Sequence, residues 1–285
     1  MPRNLILLVL VTLIAFSLLG CVSKPEVREI KNYWSNVSDK EMEMITELKL
    51  YNPNVFPIPI KRVTLDYFIN SVELGEGESF SVSTEGKNLT ILIKSTLDNN
   101  ALVEWFLSHL RSGEKSTLKI YGKAFLDLIV LEYGIPIELE RKIETEILSS
   151  FKIALEERIG PARIKAESEK VTLDESKLIV PVIVRNENSF PIYFGTTEYA
   201  LRMNEIEVAS GTQEHGLLLP PNSASRIVFV LELNKEKLKE WWVLHVKNGE
   251  RTRLEITISP CLEILGSKYC FKLCEYSYGF RTNFL

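Results

Sequence analysis

The sequence predicts a mainly β protein built as two tandem β-sandwiches, each carrying one short helix. Three observations predict it: one pattern is written twice along the chain, the period within each copy is two, and one aromatic segment of helical character stands at a matching place in both. The chain has 285 residues with 34 Lys+Arg against 38 Asp+Glu, a net charge of −4, 45% hydrophobic and 25% charged side chains. Such a balance belongs to folded protein and excludes a disordered, collagenous or small disulfide-stapled chain. Near-neutral charge also argues against a nucleic-acid binder, which concentrates Lys and Arg on one face.

The duplication comes first. Asn52/Asn186, Asn54/Asn188, Phe56/Phe190, Pro57/Pro191, Ile58/Ile192, Asn70/Asn204, Glu73/Glu207 and Gly77/Gly211 are identical at a constant spacing of 134 residues. At a spacing of 136, Leu102/Leu238, Glu104/Glu240, Trp105/Trp241, Leu118/Leu254, Ile120/Ile256 and Leu126/Leu262 follow. A repeat on this scale is two copies of one structural unit. The organisation read from it is a signal segment over residues 1–20, a first sandwich over 21–148, a helical linker over 149–161 and a second sandwich over 162–285. Phe151, Ala154, Leu155 and Ile159 recur at helical spacing in the linker, and Gly160-Pro161 supplies a stop.

Within a copy, Val63, Leu65, Tyr67 and Ile69 alternate with polar residues, Asn70-Ser71 interrupts, and Val72 and Leu74 resume. Thr197 to Met203, Asn204-Glu205, Ile206 and Val208 repeat this hairpin signature, with Asn where a tight turn wants a positive φ. Further strands are predicted at 47–51, 89–94, 115–129, 178–184, 226–233 and 251–258. Asp98 and Asn234 are N-cap residues before Leu102–Phe106 and Leu238–Trp242, and the aromatic pairs are expected to close a core. Asn52-Pro53-Asn54 and Asn186-Glu187-Asn188 end a strand with side chains able to satisfy nearby backbone groups. Phe56-Pro57 and Phe190-Pro191 are then expected to anchor the crossover with a buried ring and a fixed φ.

The N-terminus carries its own message. Leu5 to Leu19 is an apolar run after a single basic side chain, ending in Leu18-Leu19-Gly20-Cys21. This is the layout of an export signal and is shorter than the ~20 residues that span a bilayer core. The end resembles a lipobox, in which Cys21 becomes the lipidated first residue; an ordinary cleaved signal and retention of the run as a membrane helix are the alternatives. The protein is therefore expected at the cell membrane, lipid-anchored and facing the extracellular side, with the membrane, other proteins or envelope components as partners and no nucleic acid.

Export places Cys261, Cys270 and Cys274 in an oxidising compartment. With Gly266-Ser267 as a turn, Cys261 and Cys270 face each other for a disulfide; three buried thiols is an equal reading, and the spacing does not suit zinc. Asn36 and Asn88 head N-glycosylation triplets. The histidines His109, His215 and His245 read as standing at unrelated places, with no spacing of a known catalytic set. No catalytic residue, metal ligand or cofactor is assigned, and the protein is read as not an enzyme.

The segment Asn52-Pro53-Asn54-Val55-Phe56-Pro57-Ile58-Pro59, followed by an alternating strand, an Asn turn and Gly77, resembles the water stress and hypersensitive response domain of the folded late-embryogenesis-abundant (type 2) proteins linked to desiccation. Glu187 departs from the central proline of that motif. The resemblance implies a fibronectin-type-III-like sandwich with a helix and a stress-protective or macromolecule-binding role without catalytic residues. A ligand-capturing lipoprotein, with a cleft between the copies near Trp241-Trp242, and a structural component of an envelope complex are the rival readings.

Overall fold

A computed structural model describes residue 23 and residues 25–127 and 132–282. The first copy comprises β1 (Glu26–Val37), β2 (Glu41–Tyr51), β3 (Ile60–Ile69), β4 (Val72–Glu85), β5 (Asn88–Asp98), α1 (Asn99–Arg111), β6 (Lys115–Asp127) and β7 (Glu132–Glu144). These strands form one antiparallel sheet in the order β1-β2-β5-β4-β3-β6-β7. Its two end strands line a common interior space, and Tyr67 Oη on β3 meets Ser95 Oγ on β5 at 2.8 Å across the interior. The sheet is therefore rolled over on itself about β4, which pairs with β3 on one side and β5 on the other. Alternation explains the face each strand buries: Met42, Met44 and Thr46 on β2 and Val63, Leu65, Tyr67 and Ile69 on β3 point inward.

The second copy comprises β8 (Ala154–Ile159), β9 (Ala162–Ser168), β10 (Thr172–Asp174), β11 (Lys177–Asn186), β12 (Ile192–Met203), β13 (Ile206–Leu219), β14 (Ser223–Glu232), α2 (Lys235–Lys247), β15 (Arg251–Ile264), β16 (Ser267–Cys270) and β17 (Cys274–Arg281). Here the strands part into two five-stranded sheets, one of β8 to β11 with β14 and one of β12, β13 and β15 to β17. The parting lies between β13 and β14, whose counterparts β4 and β5 are joined. Gln213 stands at the place of Ser79, and its side-chain amide donates to Val228 O at 2.9 Å and accepts from Val230 N at 3.0 Å. One side chain thus takes over two backbone bonds where the sheet splits, those of Val228 O and Val230 N.

The linker is not helical. Residues 147–150 form a turn, and residues 154–159 are strand β8, paired with β9 from Ala154↔Glu167 to Ile159↔Ala162. Phe151, Ile153 and Ile159 are buried while Lys152 and Ala154 are exposed, so inward positions recur at even spacing. A β edge was available to pair with, and ladder bonds outweigh the weak helical preference of so short a segment.

Both tight turns form as the sequence signalled, with Asn70-Ser71 at φ 47° and 73° and Asn204-Glu205 at 48° and 71°. Both helix caps form as well: Asp98 accepts from Asn100 N and Asn234 from Lys237 N. The helices then do something the repeat alone does not reveal. α1 and α2 pack on each other, Trp105 edge-on to Trp242 at 5.5 Å between ring centroids and Phe106 against Trp241 at 4.7 Å. Residues 105/241 and 106/242 are equivalent positions, so each contact is the image of the other, as in a two-fold interface. Glu104 and Lys235 bridge the rim at 2.6 Å, and Asn99 Nδ2 donates to Lys239 O at 3.3 Å.

Candidate functional site

The Asn motif is a strand terminator in both copies. Asn52 Oδ1 accepts from Asn54 N at 3.0 Å and its Nδ2 donates to Phe56 O at 2.7 Å. Asn186 makes the same bonds to Asn188 N at 3.1 Å and Phe190 O at 2.9 Å, so Glu187 replaces Pro53 without loss of the turn. The second Asn imitates a peptide group: Asn54 exchanges two bonds with the backbone of Ser23, and Asn188 exchanges two with the backbone of Arg163. Each motif therefore ties the end of one strand to an earlier part of the chain. The expected buried ring holds in part only. Phe190 is half-buried, but Phe56 is 46% exposed, and Ile58 fills the core position instead. Pro57 and Pro191 sit in the irregular link where a missing N–H costs nothing.

A second convergence shows that two of the three histidines do not stand at unrelated places. His109 and His245 are equivalent at the spacing of 136 that already aligned Trp105 with Trp241, and that spacing was the available signal. In the first copy Ser116 Oγ lies 2.9 Å from Asn70 Nδ2, 3.0 Å from Trp105 Nε1 and 2.8 Å from His109 Nδ1. A hydroxyl offers one proton and two lone pairs, so it accepts from Asn70 and Trp105 and donates to His109 Nδ1. The imidazole proton is thereby assigned to Nε2, which donates to Thr145 Oγ1 at 2.9 Å, and Thr145 donates to Glu114 Oε1 at 3.2 Å.

The second copy repeats this chain of bonds. Trp241 Nε1 donates to Thr252 Oγ1 at 2.8 Å, Thr252 meets His245 Nδ1 at 2.7 Å, His245 Nε2 meets Thr282 Oγ1 at 2.9 Å, and Thr282 donates to Glu250 Oε2 at 3.1 Å. Both histidines are buried, at 1% and 0% exposure, and burial pulls their pKa values down to about 4 for His109 and about 3 for His245. They are neutral in the folded protein. Glu114 and Glu250 are held at φ 65° and 58°, in the left-handed region that side chains avoid. Glu114 is fixed there by accepting from Leu148 N and Ser149 N at 3.0 and 3.1 Å as well as from Thr145.

A carboxylate, hydroxyls and a histidine in a row invite a hydrolytic reading. Geometry turns it down, because each hydroxyl already holds at least two protein partners and the imidazoles are closed to solvent. The relay instead fastens the C-terminal end of each helix to the sheet beneath it.

The inter-copy cleft expected at Trp241-Trp242 is also absent, since both rings are wholly buried and pack on α1. An opening between the copies lies beyond the helix ends. It measures about 790 Å³ and mixes Arg111, Lys115, Glu144, Glu146, Lys170 and Arg281 on its walls. A smaller cavity of about 230 Å³, with mostly apolar walls, lies inside the first copy.

Cys261 and Cys270 are joined by a disulfide across the β15–β16 hairpin, and Cys274 begins β17. Asn36 and Asn88 are both exposed, in β1 and at the start of β5. Cys21 and the apolar run before it lie outside the described residues. Among the described residues no group of His, Cys, Asp or Glu is placed to hold a metal ion, and no helix is long and apolar enough to cross a membrane.

A family model described as late embryogenesis abundant protein matches residues 47–141 and 182–267, so its two matches fall one on each copy. No curated protein matches the chain. Among solved structures, a crystal structure of a protein from Archaeoglobus fulgidus is 31% identical, covering 43% of this chain and 97% of its own, with a TM-score of 0.37. The solution structure of a protein from Arabidopsis thaliana is 19% identical over 44% of this chain and 84% of its own, with a TM-score of 0.34. The two matched stretches together span more than half of the sequence, and the chain belongs to the late embryogenesis abundant family, whose roles are water-stress-related and generally non-enzymatic.

Proposed function

We propose that this protein is a lipid-anchored, extracytoplasmic member of its family that acts by contact, protecting or holding macromolecules of the cell envelope. The observation that carries this reading is the α1–α2 seam, which locks two sandwiches into one body through reciprocal aromatic contacts. Its groups most suggestive of chemistry are spent on fastening that body together. Large exposed surfaces on a stiff frame suit binding, since little conformational freedom is lost on contact. Support for the anchor is the Leu18-Leu19-Gly20-Cys21 segment; stable attachment then needs more than one acyl chain.

Two experiments test the reading. Cells supplied with labelled fatty acid should label the native protein and not Cys21→Ser, which should leave the membrane fraction; equal labelling of both would overturn the anchor. Crosslinking in intact cells should recover envelope partners, and the full chain should preserve activity of a drying-sensitive enzyme better than an equal mass of albumin. No partner and no protection would overturn the contact role.

A further inference from the structure

The two copies share a fold but not an interior. In the first, the cavity of about 230 Å³ is lined by Met44, Leu48, Val63, Leu65, Ile93 and Leu118, from both halves of the rolled sheet. Its hydroxyls are already engaged, Tyr67 Oη with Ser95 Oγ at 2.8 Å and Thr46 Oγ1 donating to Asn32 Oδ1 at 2.8 Å. Water placed among the apolar walls would lack the two to four partners it requires, so the lining suits hydrocarbon. The space opens between the two end strands of the sheet, where Ile30 on β1 and Leu139 on β7 are 50% and 51% exposed. Ile135 and Tyr133 continue an exposed apolar trail along β7. A narrow occupant, apolar along its length and longer than the cavity, matches this shape.

The second copy is the internal comparison. Phe229 stands where the first copy has Ile93, and Phe194 where it has Ile60; both phenylalanines are fully buried. The His215 ring stands edge-on to each, at 5.2 and 5.3 Å. The β8–β9 turn also lies on Tyr269 of β16, so closely that a Cβ at Gly160 would come within 2.5 Å of the ring. Aromatic rings thus occupy the interior of the second copy, and its two edges touch at one end.

We propose that the rolled sheet of the first copy binds one single-chain fatty acid, its alkyl tail in the cavity and its carboxylate in the mouth between β1 and β7. Asn32 and Arg141 line that mouth and can donate to the carboxylate, while Glu140 keeps its charge balanced, so the tail carries the recognition. The inference goes beyond the contact role and does not depend on acylation of Cys21.

The test uses the full chain and a fatty acid carrying a photoreactive diazirine on its tail, with the crosslinked peptides mapped by mass spectrometry. Label is expected on β2, β3, β6 and β7 and not on the second copy, and unlabelled dodecanoate should compete it away. Ile93→Phe, which installs the ring of the second copy, should cut labelling at least about tenfold, equivalent to one factor of ten in affinity, with an unchanged or higher melting temperature. Leu48→Trp, at the half-buried mouth, provides a second block if the first variant does not fold. Equal labelling of both copies, labelling untouched by both substitutions in folded protein, or stronger competition by a diacyl phospholipid than by dodecanoate would overturn the proposal.

Discussion

His109 and His245 each sit between two hydroxyls, neutral and shut off from water. Burial holds their pKa values at about 4 and about 3, below the ordinary 6.5. A depressed histidine pKa means that the unfolded chain takes up the proton first as pH falls. The stabilisation is therefore complete above about pH 6.5 and is lost progressively as pH drops towards the folded-state values. Between pH 6.5 and pH 5 the two sites together should cost about 3 kcal/mol, measured by urea unfolding. His109→Gln with His245→Gln keeps an acceptor and a donor at each place and should flatten that slope. The neighbouring tryptophans give a second comparison. Trp241 Nε1 donates to Thr252, whereas Trp242 Nε1 is buried without a partner. Trp241→Phe and Trp242→Phe remove the same atoms, and the first should be the more destabilising by about 1–2 kcal/mol because it alone breaks a made bond. Phe106, at the place equivalent to Trp242, shows that a phenyl ring is compatible with that position.

Strands, turns and caps were the most legible parts of the molecule because their signals are local. The Asn70 and Asn204 turns, the Asp98 and Asn234 caps and the inward face of β3 follow from residues within two or three positions of each other, whereas β2 begins at Glu41, six residues before the strand that the sequence predicts at 47–51. The segment 154–159 is strand and not helix because its apolar spacing serves either period, and the choice depends on an edge of β9 that the segment itself does not encode. The hairpin of β15 and β16 is the element with a covalent tie, Cys261 to Cys270, closing a loop of sequence separation 9. Reduction should cost about 2–3 kcal/mol, felt by the second copy. Hydrogen exchange under reducing conditions should show the loss in β15–β17 while β2 and β5 keep their protection; uniform loss would contradict a local role.

Two copies joined by a flexible tether would unfold independently. Here the buried residues of both form one continuous cluster through Trp105, Phe106, Trp241 and Trp242. Thermal unfolding of the full chain is expected as one cooperative transition. Trp105→Ala, which empties the reciprocal contact, should cost about 3–5 kcal/mol and divide the transition in two. Calorimetry reads this directly, and a single unbroken transition in that variant would mean that the coupling lies elsewhere. Glu104→Ala, at the solvated rim, should change stability by less than about 1 kcal/mol.

Duplication, strand periodicity, turn chemistry, helix caps and the Asn motif could be read from the chain because each rests on neighbours in sequence and on backbone groups that must be satisfied nearby. The relay around His109 and His245, the strand in the linker, the reciprocal helix seam, and the contrast between a rolled sheet with a hollow and a split sheet filled by Phe194 and Phe229 could not. They depend on side chains tens of residues apart arriving at one place, and packing in three dimensions selects among arrangements that the same local pattern allows equally.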